Sequence, residues 1–323
     1  MKILFVSQNM ISFVEKDADI LKKEHNVREV IFRGLFAPWK IGKEILWCDV
    51  VFCWFGKLQA FFAVILGKIF GKKVVVVSGG DDVACVPDYH YGMFSSIWKK
   101  WCPLCVFKLA DLVLAVSEFN LKETIKNAKV SSSRTRLIYH GFDLDFYKVQ
   151  PNSLKEKVVI TIGGVDWERT KRKGYDLFVK SAQYLPDVKF VLVGQWRDDA
   201  IEHLRNISSK NVVFTGFIKD SEVLKWLSLA KVYVQASFHE AFGCSVAEAM
   251  LCECVPVLSR KGALPEVGGD TALYIDKFEP EHLASKISEA LNSDLGKQTR
   301  NRIINEFPLL RRQQSLLKAI DQL

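Results

Sequence analysis

No stretch of this chain of 323 residues reaches the about 18 uncharged apolar residues that a membrane-spanning helix needs. The longest apolar runs, residues 50–56 and 58–67, are separated by Lys57 and closed by Lys68. The opening run, residues 3–6, is too short for a secretory h-region and reads as a first strand, so the expected address is the cytoplasm. Eight cysteines in a long chain without a signal peptide do not make a disulfide framework. Cys102 and Cys105 form a C-x-x-C, and Cys252 and Cys254 a C-x-C. Neither has the second knuckle or histidine pair that zinc would want, so buried small hydrophobes are expected and no metal. No arginine-rich tract and no aromatic-and-basic signature is present, so nucleic acid is not an expected partner.

Several chemistries are absent as motifs. No G-x-G-x-x-G follows the first strand and no G-x-x-x-x-G-K-[ST] exists, which excludes the dinucleotide fingerprint and the P-loop. His239–Glu240 lacks the second histidine of H-E-x-x-H, and no G-x-S-x-G marks a hydrolase nucleophile. Asp143–Leu144–Asp145 is D-x-D in letters, but it falls in a turn rather than in a strand-end loop.

What is present is an ordinary globular composition, 49% hydrophobic, 12% aromatic and 25% charged. At roughly 150 residues per domain the length gives two domains. The net charge of +8 is uneven, with +6 in residues 1–150 and +2 in residues 151–323. A basic first half suits an anionic ligand or membrane surface, or is simply a solvated surface.

Short apolar runs alternate with amphipathic ones. Strands are expected at residues 3–6, 50–54, 74–77, 112–116 and 137–139, with helices at 14–22, 58–70 and 97–110 and one after Ser117. Residues 148–157, with Pro151, read as a linker. The alternation restarts with strands at 158–162, 188–193, 212–215, 232–235, 255–259 and 273–275. Helices are expected at 175–184, 201–207, 223–230 and 281–291, and one ending at Leu251. A helical tail from Gln298 is interrupted by Pro308. Residues 168–173 (ERTKRK) read as a basic loop. Val/Ile-rich strands alternating with helices predict parallel sheets covered on both faces, hence an α/β chain of two doubly wound, Rossmann-like domains with the site at a cleft.

The most informative segment is SFHEAFGCSVAEAMLCECVP, residues 237–256. Phe242, Gly243, Cys244 and Ser245 lie where a helix should begin. Glycine permits close backbone approach there, and the positive end of the helix favours a phosphate. Glu240 precedes the turn and Glu248 lies within the helix. Eight residues of helix span about 12 Å, a suitable reach for a nucleotide-sugar. Alone, Glu240 reads more simply as a first-turn acid that complements the helix dipole and Glu248 as a solvated helix residue.

The E-x7-E of EAFGCSVAE resembles the signature of family 4 retaining glycosyltransferases of the GT-B fold. GALPEVGGDTALYI, NVVFTGFI, AKVYVQAS and IGGVDWERTKRKGYDLFVKSA resemble that family's neighbouring segments, so the likeness is strong over residues 158–292. It is weaker in the first half, where IYHGFDLDFY and LAVSEFN still fit. The resemblance implies transfer of a sugar from a nucleotide-diphosphate donor to an acceptor hydroxyl, on a glycan or a lipid-linked carrier, with configuration retained and no cofactor or metal. It implies an acceptor-side domain, residues 1–150, and a donor-side domain, residues 151–323, whose last helix returns to the first. Glu240 would face the reacting centre, Glu248 the ribose, and the amides around Phe242, Gly243 and Cys244 the diphosphate, which Lys173 would neutralise. Ile218 is carried over as a further donor-binding residue. The family usually supplies an arginine soon after the first strand of the second domain. Gly163–Gly164 stands there, and Arg169 or Arg172 is the substitute. The first-half loop SQNMISF lacks the usual glycine pair. A usual histidine is replaced by Gly79, Gly80, Asp81 and Asp82, of which Gly80, Asp81 and Asp82 are acceptor-side candidates, a capping turn being the alternative. His140 reads as structural. A non-catalytic sugar-nucleotide binder and another GT-B enzyme, such as an epimerase, are the competing readings. Residues 97–107 (IWKKWCPLCVF) are either a peripheral membrane contact or a core helix with snorkelling lysines.

Overall fold

The computed structural model describes residues 1–34, 36–147 and 154–323. The junction expected near residue 150, with Pro151, lies outside the described residues. The chain divides into two compact units, residues 1–141 with 310–323, and residues 142–309.

The first unit runs β1 (Lys2–Ser7), α1 (Ser12–Lys22), β2 (Asn26–Ile31), α2 (Ala37–Ile45), β3 (Val50–Trp54), α3 (Leu58–Ile69), β4 (Lys73–Ser78), α4 (Trp101–Leu109), β5 (Leu112–Ala115), α5 (Glu118–Ala128) and β6 (Thr135–Leu137). Its six strands form one parallel sheet in the order β2-β1-β3-β4-β5-β6. β3 is buried at every position and β4 at all but its first, as expected of central strands covered on both faces. β2 (NVREVI) buries only Val30 and lies at the sheet edge, so its charges hide it in the sequence. α2 is likewise an element that the sequence pattern does not reveal.

The second unit runs β7 (Glu156–Ile162), α6 (Trp167–Lys173), α7 (Tyr175–Ser181), β8 (Lys189–Val193), α8 (Ala200–Ile207), β9 (Val212–Gly216), α9 (Asp220–Leu229), β10 (Ala230–Gln235), α10 (Cys244–Leu251), β11 (Val255–Ser259), α11 (Leu264–Gly268), β12 (Leu273–Ile275), α12 (Pro280–Leu291) and α13 (Gly296–Glu306). Its sheet is again six parallel strands, in the order β12-β11-β10-β7-β8-β9. Two parallel sheets flanked by helices are the doubly wound architecture expected from the alternation.

The last helix, α14 (Leu309–Asp321), contributes residues 310–321 to the first unit. Arg312, 4% exposed, meets fully buried Asp17 of α1 through two 2.7 Å hydrogen bonds. It also donates to the carbonyls of Ile138 and Tyr139, and Trp54 Nε1 donates to Asp17 at 3.0 Å. Every charge in the cluster is therefore both paired and hydrogen-bonded, the condition under which burial of an ion is tolerated.

Two expectations are corrected. Residues 168–173 are not a loop but most of α6, because Asp166 caps it by accepting from Arg169 N at 2.9 Å. Residues 97–100 are not helical. They form a turn ahead of α4, with Ile97 76% and Trp98 84% exposed. A core helix thus accounts only for the later half of 97–107, where Cys102, Pro103, Val106 and Phe107 are buried.

Candidate active site

In the second sheet the chain moves from β7 out to β8 and β9, then returns to the other side of β7 and continues outward through β10, β11 and β12. β7 and β10 are therefore neighbours from which successive connections diverge (Val159 is paired with Val232, and Ile160 with Tyr233). Ligands of doubly wound sheets bind at the carboxyl ends of such a pair. Here those ends carry α6 and the residues 236–243 that lead into α10.

Two glycines bring these segments together. Gly174, at φ +70°, ends α6, and a Cβ there would stand 2.6 Å from the Ala236 carbonyl oxygen. Gly262, at φ +61°, lies where a Cβ would come within 2.5 Å of the Glu240 carbonyl oxygen. Phe238 N donates to Arg172 O at 2.8 Å and Ala263 N to Glu240 O at 2.9 Å, which fixes the backbone around the carboxylate from both sides.

Glu240 Oε1 lies 2.8 Å from Lys173 Nζ and accepts from Ser237 Oγ at 2.9 Å and Gln235 Nε2 at 3.0 Å. Arg172 Nη1 is 3.9 Å from the same oxygen, donates to the His239 carbonyl and, through Nε, pairs with Glu168. Tyr233 Oη lies 2.8 Å from both Gln235 Oε1 and Ser245 Oγ and so links β10 to the first turn of α10. Burial alone would raise the Glu240 pKa. The Lys173 and Arg172 charges and the hydrogen bonds from Lys173 and Ser237 outweigh it and hold it at about 2. Glu240 is thus a fixed anion at neutral pH and a poor proton acceptor.

Of the two arginines offered as substitutes, Arg172 is buried beside Glu240, whereas Arg169 turns back onto Asp166 of its own helix cap. Gly243, at φ +101°, precedes Cys244, the first residue of α10, so the positive end of that helix opens at the carboxyl end of β10. Phe242 is buried with its ring 6.0 Å from Phe142 and 5.3 Å from Phe307, which leaves only its backbone to face a ligand. Glu248 accepts a hydrogen bond from buried Tyr147, whose own pKa is raised by burial and then by the Glu248 charge. Ile218 is half-buried just beyond the carboxyl end of β9.

Within the first unit, Gly80 has φ +123°. Asp82 is fully buried and accepts from the amides of Gly56 at 2.8 Å, Gly80 at 2.9 Å and Gly79 at 3.1 Å, so it clips the β3 and β4 ends together. Burial, then the Asp81 charge, raises its pKa to about 7. Asp81 is partly exposed and paired with Lys57. His140 is buried and stacked on Trp54, and burial followed by the Arg312 charge drives its pKa well below the usual value.

Sequence reasoning missed Ser237, Gln235 and Tyr233, which look like ordinary strand-end residues, and Tyr175. The Tyr175 ring is 1% exposed and its hydroxyl has no hydrogen-bond partner. Among the described residues no group of three His, Cys, Asp or Glu is gathered to hold a metal ion, and no helix is long and apolar enough to cross a membrane.

A family model described as Glycosyl transferases group 1 matches residues 145–307. A Campylobacter jejuni protein, N-acetylgalactosamine-N,N'-diacetylbacillosaminyl-diphospho-undecaprenol 4-alpha-N-acetylgalactosaminyltransferase, is 24% identical over 217 residues, 65% of this chain and 58% of that one. The Escherichia coli serotype-specific mannosyltransferase WbdA is 23% identical over 213 residues, 59% of this chain and 26% of that one. The chain thus spans little more than half the length of the first relative and about a quarter of the second. Among solved structures, Anabaena HepE in complex with UDP and glucose superposes with a TM-score of 0.84 at 18% identity, covering 100% of both chains. That likeness is one of fold.

Proposed function

The chain belongs to the group 1 glycosyl transferases, and from that premise we propose that it moves a sugar from a nucleotide-diphosphate donor to an acceptor hydroxyl, on a glycan or a lipid-linked carrier, with retention of configuration and without a metal. The observation that carries this reading is the Lys173–Glu240 pair, set beside the α10 N-terminus at the diverging strands β7 and β10. Lys173 and the α10 end suit a diphosphate, Glu248 a ribose hydroxyl, and Ile218 the donor's nucleoside end. The UDP held by HepE and the diphospho-undecaprenol carrier in the Campylobacter relative's name support the donor class and the lipid-linked option.

In the step proposed, the acceptor oxygen bonds to the anomeric carbon as its bond to the phosphate oxygen breaks. The nucleoside diphosphate leaves, and the acceptor proton passes to it. With a pKa of about 2, Glu240 is a poor base for that proton. Its role is to hold Lys173 and to offset positive charge developing on the sugar. Incubation with a panel of UDP-, GDP- and ADP-sugars and lipid-linked or glycan acceptors, with NMR of the product anomer, tests the reading. Failure of every nucleoside diphosphate to raise the melting temperature would overturn it.

The exposed surface of the first unit supports a peripheral membrane contact as part of the same reading. Trp39, Phe61, Phe62, Ile65 and Leu66 line a groove of about 850 Å³ between α2 and α3. Trp101 packs edge-on against Phe61 at 5.3 Å, continuing the apolar surface towards Ile97 and Trp98. Lys40, Lys43, Lys99 and Lys100 lie beside it in sequence, which suits an anionic lipid surface.

A further inference from the structure

The proposed donor site is short of unpaired positive charge. Glu240 offsets Lys173, Glu168 and Glu240 offset Arg172, and Asp166 takes Arg169. A helix end supplies only about half an elementary charge. A diphosphate therefore calls for a cation not already engaged by a carboxylate.

Arg197, in the loop after β8, fits that need. Its Nε, Cζ and Nη2 atoms stand 3.2, 3.4 and 3.5 Å from where a Cβ would sit on Gly164, so the guanidinium lies over the Gly163–Gly164 turn at the carboxyl end of β7. The Lys173 stem reaches the same turn, with Cδ and Cε 3.5 Å from the equivalent point on Gly163. The buried, unpartnered Tyr175 hydroxyl is 2.4 Å from that point. Arg197 is an exposed residue, and among the described residues no ion pair or side-chain hydrogen bond engages its guanidinium. The carboxylates of neighbouring Asp198 and Asp199 are bonded to Trp167 N at 3.1 Å and Trp167 Nε1 at 2.8 Å.

The loop carrying Arg197 is fastened to the turn. Gly163 N donates to Val193 O at 2.8 Å, Val165 N to Gln195 O at 2.8 Å, and Arg197 N to Val165 O at 2.9 Å. A Cβ on Gly194 would stand 1.8 Å from Gly163 O, so only glycine allows the two loops this close. The Arg197 backbone is held in place, and two successive glycines leave its side chain the space above the turn.

We propose that Arg197 is a donor-binding residue that, with Lys173, holds the diphosphate across the Gly163–Gly164 turn, its planar fork taking two phosphate oxygens. This rests on the donor reading above. The test compares UDP, GDP and ADP with UMP, GMP and AMP by calorimetry on wild type, Arg197→Gln, Arg197→Lys and the surface control Lys210→Ala, with thermal melts to verify folding. For the base that wild type prefers, the diphosphate-over-monophosphate affinity ratio should fall at least about tenfold in Arg197→Gln, recover in part in Arg197→Lys and stay unchanged in Lys210→Ala. Monophosphate affinity itself should move little. A folded Arg197→Gln protein that keeps the wild-type ratio would overturn the role of Arg197 while leaving the donor reading intact. A wild type that binds no diphosphate would overturn both.

Discussion

Lys173 and Glu240 meet at 2.8 Å from the carboxyl ends of two adjacent strands, one closing the helix after β7 and the other lying in the loop after β10. A cation and an anion placed so close are each defined by the other, and several consequences of the pair are measurable.

Replacing Glu240 by Gln should lower kcat roughly 10²-fold with little change in donor KM, because the charge is proposed to act on the developing transition state. Steady-state kinetics with saturating acceptor checks this. Wild-type kcat in a folded variant would remove Glu240 from the chemical step.

The same substitution should change the acid limb of stability. The Glu240 pKa is depressed to about 2, so its contribution is fully present above the ordinary carboxylate range and is lost as pH falls from there through about 2. Between pH about 4.5 and 2, wild type should lose stability more steeply than Glu240→Gln in urea titrations. Parallel curves would contradict the assigned ion pair.

Lys173→Ala should weaken nucleoside diphosphate binding about tenfold to a hundredfold, the range for a charge-assisted hydrogen bond, and leave free nucleoside unchanged. Activity of the wild type should survive EDTA. Reversible loss of turnover on chelation would end the metal-free proposal.

Liposome flotation should recover the protein with vesicles rich in phosphatidylglycerol and not with phosphatidylcholine alone. Trp98→Ser together with Lys99→Glu and Lys100→Glu should abolish recovery. Absence of binding to acidic vesicles at low salt would dispose of the membrane contact.

Arg312→Ala should destabilise the first unit by about 3–5 kcal/mol, since it leaves Asp17 charged and buried without its partner. Urea denaturation of wild type and Arg312→Ala followed by far-ultraviolet circular dichroism checks this, and unchanged stability would contradict it.

The sequence disclosed the parallel sheets because their central strands are uninterrupted apolar runs, such as VVFCW at β3 and VPVLS at β11. It disclosed the helix start after Gly243 because the glycine directly precedes the amphipathic run of α10. It did not disclose β2, whose charges face outward at an edge, or α6, where Trp167 is the only apolar residue in a run of polar ones. Arg197, Tyr175 and Gly262 were out of reach for a different reason. Each matters through a neighbour distant in the chain, and no local periodicity reports where two loops will meet.

The Asp17–Arg312 clasp has a consequence for synthesis. Residues 142–309 form a contiguous unit that can close as soon as they leave the ribosome. The first unit is complete only later, since the residue that pairs with buried Asp17 is made 295 positions after it. During translation the amino-terminal half therefore lacks the Asp17 partner until residues 310–323 have been made. The order of completion is thus the reverse of the order of synthesis, and a ribosome stalled before codon 310 should hold a protease-sensitive amino-terminal half beside a resistant second unit.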